Sequence, residues 1–207
     1  HWQDGEGRAY NSLQNFVNGV EREGRSVLFA INSGIYSGEY RPLGLHIEDG
    51  EWLIPLNRVT TNAGAGNFSL FPNGVFYITK RGSASVVTTE QFARLSEKEQ
   101  REIESATQSG PMLLIDGAFN HRFIKGSNSL KLRSGVCVKD ATEVFFVVGE
   151  GESSFYDFAS LFRDELKCKD ALYLDGTIAR AYHNGRFYGA TGLSRMRRLV
   201  AFWSVIE

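Results

Sequence analysis

Four short polar runs interrupt the apolar pattern of this chain at points where a sheet protein would ordinarily just turn. The run Tyr173-Leu174-Asp175-Gly176-Thr177 ends an apolar stretch on a carboxylate followed at once by glycine. Asp-Gly is a common turn, yet a carboxylate at a strand end is also where sheet enzymes place a nucleophile, a proton donor or a metal ligand. In Arg133-Ser134-Gly135 an arginine abuts a glycine turn. Its planar guanidinium offers the paired donors that clamp a phosphate or carboxylate, although in isolation a surface salt bridge is the simpler reading. Thr107-Gln108-Ser109-Gly110-Pro111 sets three consecutive polar side chains just ahead of Met112-Leu113-Leu114-Ile115. Each such group left buried without a partner costs about 1–3 kcal/mol, so they either satisfy one another and the backbone or donate to a ligand. Asn32-Ser33-Gly34-Ile35-Tyr36 follows Val27 to Ile31 and puts Asn32 at a strand's C-terminal end, where open sheets collect ligands; an Asx-turn is the structural alternative.

The elements that must hold these runs are short. Stretches rich in Val, Ile, Phe and Tyr between Gly, Asn and Pro predict strands over Val27 to Ile31, Leu43 to Ile47, Trp52 to Pro55, Val75 to Thr79 and Ser85 to Thr88. They also predict strands over Met112 to Ile115, Gly135 to Val138, Glu143 to Val148, Ala171 to Leu174 and Arg198 to Val205. Helices are fewer. Tyr10 to Arg22 carries Leu13, Phe16, Val17 and Val20 on one face, Ser96 to Ser105 is short and charged, and Phe155 to Leu166 begins at Ser154 with Asp157 three residues on. No 20 to 50 residue period or Pro/Ser-rich linker divides the chain. The expected fold class is α+β: one domain over residues 1–207, trimmed at its N-terminus, with a mixed, mostly antiparallel β-sheet core and a few packed helices.

Composition excludes several functions. Lys plus Arg number 23 against 24 for Asp plus Glu, which leaves no net field to hold a polyanion, so nucleic acid is not an expected partner. The one dense basic run, Arg195-Met196-Arg197-Arg198, reads as a solvated loop face. Apolar stretches such as Val144 to Val148 fall far short of the roughly 20 residues that span a bilayer, and no signal peptide is expected at His1-Trp2-Gln3-Asp4. Cys137 and Cys168 form neither a disulfide framework nor a zinc motif. They read as a small core residue and a helix-end residue, with a single disulfide left open.

Taken in order, the four runs resemble the phosphodiester glycosidase family. The resemblance extends from Asp4-Gly5 and Tyr10 through Pro42-Leu43-Gly44-Leu45, Gly66-Asn67-Phe68 and Pro72-Asn73-Gly74-Val75-Phe76 to Leu172-Tyr173-Leu174-Asp175-Gly176. The segment from Ala106 to Leu113 and that last run look like the family's bacterial branch. Three positions depart from it: Ser134 where relatives tend to have Asn, Cys137 where they have Gly, and Ala179 where they often have Ser.

The resemblance implies a hydrolase that releases a sugar from a phosphodiester, with a phosphorylated sugar or glycan as substrate and a periplasmic or extracellular location. A phosphomonoester, with a second pKa of about 6, leaves far more readily than an alkoxide, so one carboxylate and one cation could suffice where ordinary glycosidases need two carboxylates. Asp175 would then stabilise or attack the anomeric carbon and Arg133 would neutralise the phosphate, with Asp116 and His121 as reserve acid-base groups from a turn that is otherwise unremarkable. Asn32, Thr107, Gln108, Ser109, Asn67, Asn73 and Gly176 would orient the substrate. No cofactor is expected, with a bound divalent cation the one alternative held open. His1, His46, His121 and His183 stand singly, which disfavours a metal-dependent phosphodiesterase. A non-catalytic module binding phosphorylated glycans or cell-wall polymers is the competing reading from another class.

Overall fold

The structure, a computed structural model, describes residues 1–59 and 66–207, with the side chains of Asn67 and Arg195 outside that description. Its strands are β1 (Val27–Asn32), β2 (His46–Glu48), β3 (Glu51–Ile54), β4 (Gly74–Thr79), β5 (Ala84–Thr88), β6 (Ile103–Ser109), β7 (Met112–Ile115), β8 (Ala118–Phe119), β9 (Ser134–Asp140), β10 (Glu143–Val148), β11 (Asp170–Asp175), β12 (Arg180–His183), β13 (Arg186–Gly189) and β14 (Phe202–Ile206). They form three sheets, ordered β13-β12-β1-β14, β10-β9-β11-β7-β8 and β3-β2-β6-β4-β5. Every ladder among the described residues is antiparallel. This is the expected α+β class, mostly β.

Helix α1 (Leu13–Arg22) forms because Ser12 accepts from the Asn15 N–H and because Leu13, Phe16, Val17 and Val20 share one buried face. That face packs on Val27 and Ala30 of β1, Tyr182 of β12 and Phe202 of β14. Two short helices, α2 (Thr89–Phe92) and α3 (Glu97–Arg101), carry capping boxes at Thr88/Gln91 and Ser96/Glu99. Helix α4 (Phe155–Ser160) starts on the Ser154 hydroxyl and runs on as a π-turn over Leu161–Glu165, laying Phe158 and Phe162 against Leu113 and Tyr173. A one-turn helix, α5 (Gly192–Arg195), precedes β14. Between the sheets Phe76, Met112, Val136, Leu172 and Leu174 make a central core with Phe146 and Trp203.

Three expectations need correcting. The helix predicted over Ser96 to Ser105 stops at Arg101, and Ile103–Ser109 is instead β6, paired on both sides by β2 and β4. Its polar residues Thr107, Gln108 and Ser109 are buried because the strand is internal, so no alternation of exposed and buried residues marks it. The hairpin of β12 and β13 was also missed, although it turns on Asn184-Gly185, both at positive φ, the usual signal of a two-residue hairpin loop. Finally, Cys137 and Cys168 are joined as a disulfide across 31 positions, so they are not merely small core residues. Closing a loop of that length constrains the unfolded chain, and the Cys137→Ala/Cys168→Ala double variant is expected to lose roughly 3–4 kcal/mol in urea unfolding.

Candidate functional site

Three sheets converge on one corner: the C-terminal ends of β1, β6 and β11 and the N-terminal ends of β9 and β12 meet there. Asp175, the last residue of β11, supplies the carboxylate. Its Oδ2 accepts from Asn32 Nδ2 of β1 at 2.9 Å, and its Oδ1 accepts from the Gly176 N–H at 2.6 Å. Its backbone is fixed as well, with the Asp175 N–H donating to Ser134 Oγ of β9 at 3.1 Å. Asn32 is itself oriented from behind, its Oδ1 accepting from the Arg180 N–H of β12 at 2.9 Å. Ser109, ending β6, donates its hydroxyl to the Leu174 carbonyl at 3.1 Å. The loop after Asn32 lies close over β6 at Gly34: a Cβ there would sit 3.3 Å from both the Gln108 carbonyl oxygen and the Thr107 hydroxyl, a tight contact that glycine avoids.

Burial pushes the Asp175 carboxyl up to about 6, opposed by the Gly176 N–H, by the charges of Arg180 and Arg197 and by the Asn32 amide. The carboxylate is therefore partly desolvated and titrates near neutrality. Arg180 is buried, and its Nη2 donates to the Arg197 carbonyl at 2.6 Å. Tyr36 lies in the same field: burial first, and then the charge of Asp175, raise its phenol to about 12, and its hydroxyl donates to the Arg198 carbonyl at 2.9 Å.

Of the residues singled out in the sequence, Asp175, Gly176, Asn32 and Ser109 meet at this corner, and Thr107 lies against the Gly34 backbone beside it. Asn73 is a neighbour, since Gly74 pairs with Ser109. It is buried, its Nδ2 donates to the Phe68 carbonyl at 2.8 Å, and its Oδ1 has no partner among the described residues and faces Gly110. It also borders a cavity of about 740 Å³ that includes Phe71, Thr88 and Arg94.

The others go elsewhere. Gln108 points to the opposite face of β6, where its Oε1 accepts from the N–H groups of Leu45 and Asn57 and its Nε2 donates to the Asn57 carbonyl and to Thr89 Oγ1. Its amide is saturated by this loop. Asp116 sits at the far end of β11, its N–H donating to Asp170 Oδ1. Five residue steps of about 3.3 Å separate that end from Asp175, roughly 16 Å. His121 is solvent-exposed on the loop after β8. Asn67 falls in the 3₁₀ turn Gly66–Ser69, with its side chain outside the described residues. Arg133 is buried beneath α4: its Nε donates to the Ser153 carbonyl at 2.7 Å, its Nη2 to the Ser129 carbonyl at 3.0 Å, and its guanidinium lies 3.7 Å from the Phe155 ring centroid.

Arg180, Arg197 and Ser134 were not singled out for the site. Ser134 carried a signal, standing inside the Arg133-Ser134-Gly135 run. Arg180, five residues after Asp175, carried none without knowledge that a strand begins there, and Arg197 was hidden in a run read as solvated. Among the described residues no cluster of three or more His, Cys, Asp or Glu side chains is arranged to hold a metal ion, and no helix is long and apolar enough to cross a membrane.

Known proteins place this architecture. The phosphodiester glycosidase family matches residues 25–201. The uncharacterized protein YigE of Escherichia coli (strain K12) is 36% identical over 185 residues, which cover 89% of this chain and 69% of YigE. Among solved structures, the catalytic domain of zebrafish N-acetylglucosamine-1-phosphodiester alpha-N-acetylglucosaminidase, auto-inhibited by its pro-peptide, superposes with a TM-score of 0.58 at 17% identity, over 89% of this chain and 63% of that one. A hypothetical protein from Synechocystis superposes with a TM-score of 0.54 at 11% identity, over 92% of this chain and 53% of that one. At such identities the superpositions establish a shared fold, and the chain spans less than two thirds of either solved chain.

Proposed function

From the premise that the chain belongs to the phosphodiester glycosidase family, we propose that it hydrolyses a sugar-1-phosphodiester at Asp175, releasing a sugar and a phosphomonoester by cleavage of the glycosidic C–O bond. Family and fold support a glycosidase-like role. The observation that carries the specific reaction is the desolvated Asp175 carboxyl, titrating near 6 and held between Asn32 and Gly176 within the field of Arg180 and Arg197.

In this reading the ionised carboxylate faces the anomeric carbon and stabilises the positive charge that develops as the C–O bond lengthens. The bonding pair leaves with the phosphomonoester oxygen, whose low basicity removes the need for a strong general acid. Water then adds to the anomeric carbon, keeps one proton as the anomeric hydroxyl and passes the other to solvent. Two supports argue against a reserve acid at Asp116: it lies at the wrong end of β11, and the leaving group does not require it.

Hydrolysis in oxygen-18 water tests the bond assignment. Label is expected in the sugar's anomeric hydroxyl, and label in the phosphate would overturn it. Turnover is expected to persist in chelator, since no step needs a cation beyond arginine. The disulfide of Cys137 with Cys168 supports an oxidising, periplasmic or extracellular setting.

The acid limb of the pH profile follows from the same carboxylate. With the ionised form active, kcat/KM should fall tenfold per pH unit below about 6. Asn32→Ala removes a donor to the charged form, so the limb should move up by roughly 1 pH unit, the equivalent of one charged hydrogen bond of about 1.4 kcal/mol. A limb that stays in place in Asn32→Ala would detach it from Asp175.

A further inference from the structure

Beside the Asp175 corner lies a recess of about 410 Å³ whose walls include Tyr36, Tyr40, Met196, Arg197 and Arg198. Resting on the hydrolase reading above, we propose that this recess seats the phosphate of the substrate and that the group beyond the phosphate is an apolar chain, so that the substrate is an amphiphilic, lipid-linked glycosyl phosphodiester.

The charge of the recess fits a phosphate. Arg197 and Arg198 both line it, and no carboxylate is among its described lining residues. Arg197 ties the recess to the corner: its carbonyl accepts from Arg180 Nη2 at 2.6 Å, and the Arg180 N–H donates to Asn32, the partner of Asp175. Arg198 is held for planar recognition: its guanidinium lies 5.1 Å from the centroid of the Tyr40 ring, and Tyr40 stacks on Tyr36 at 5.9 Å with planes 22° apart. The guanidinium of Arg133, by contrast, is occupied by two backbone carbonyls.

The rim of the recess fits an apolar chain. Leu193 and Met196 are 84% and 80% exposed, the highest values among the large hydrophobic side chains described. They stand three residues apart on α5 and its C-cap, hence on one face, and Met196 also lines the recess, so the apolar surface and the basic surface are continuous. Two water-exposed apolar side chains flanked by arginines have the composition of a surface that meets an anionic headgroup and the chain below it. A soluble phosphodiester would engage the arginines and leave Leu193 and Met196 unused.

Two esters of one sugar-1-phosphate test this, a methyl ester in buffer and a long-chain polyprenyl ester in neutral-detergent micelles, each read by released sugar. The expected result is a kcat/KM at least tenfold higher for the polyprenyl ester, with that ratio falling toward one in the Leu193→Ser/Met196→Ser variant, whose melting temperature confirms its fold. Release from the methyl ester without a chain-length preference, or a preference that survives in the variant, overturns the amphiphile proposal and leaves the hydrolase reading standing. No release from either ester overturns both.

Discussion

Asp175→Asn should lower kcat/KM by about 10³-fold or more while the domain stays folded. The loss is chemical because the amide carries no charge to set against a developing cation at the anomeric carbon. Stability supplies the control. The folded pKa of Asp175, about 6, lies above its ordinary value of 3.8, so its contribution to stability is fully present below about 3.8 and lost as pH rises through 6. Above pH 7 the ionised carboxylate is thus a net cost of about 3 kcal/mol, which the neutral amide removes. The amide gives up one acceptor, toward Asn32 or Gly176, worth about 1 kcal/mol. At pH 8 the variant's melting temperature should stay within about 5 °C of the parent's or rise. Activity within tenfold of the parent would exclude Asp175 as the main carboxylate.

The route by which this carboxylate could be read from sequence, and the places where reading stopped, have physical reasons. Asp175, Asn32 and the start of β7 were legible because each follows or opens a continuous apolar run, and β10 and β7 were bounded correctly for the same reason. Strand β6 was not legible: an internal strand that buries Thr107, Gln108 and Ser109 carries neither alternation nor an apolar run. Without it the opposite orientations of Gln108 and its two neighbours could not be seen, although once the strand is known they follow from its two-residue period. Asp116 shows a different limit. Asp116-Gly117 just after β7 and Asp175-Gly176 at the end of β11 look alike, but the two strands are antiparallel, and pairing of Leu114 with Ala171 sends their C-terminal ends to opposite ends of the sheet. Register between strands more than fifty residues apart is not written in local pattern. Nor was the recruitment of Arg180 to the corner, because β12 reaches it only by pairing with β1.

Arg133 is where a residue type suggested one role and its surroundings give it another. Arg133→Ala is expected to cost roughly 5 kcal/mol, a large part of a domain's stability margin. Two charge-assisted hydrogen bonds, to the carbonyls of Ser129 and Ser153, are each worth about 1.5–3 kcal/mol, and desolvated stacking on Phe155 adds about 2 kcal/mol. The cost of burying the cation, which holds its pKa below the usual arginine value, offsets part of that sum. Arg133→Lys separates charge from shape. It keeps the cation but has neither the fork that reaches both carbonyls nor the plane that stacks, so it should recover less than half of the loss in urea unfolding. For a phosphate clamp the order of effects would be reversed, with lysine rescuing KM and alanine leaving stability untouched. The expected readout is the other one: at low temperature, where Arg133→Lys is folded, its KM should stay within about threefold of the parent's, since no uniform binding of substrate has been removed. A tenfold rise in KM at unchanged stability would return Arg133 to the phosphate.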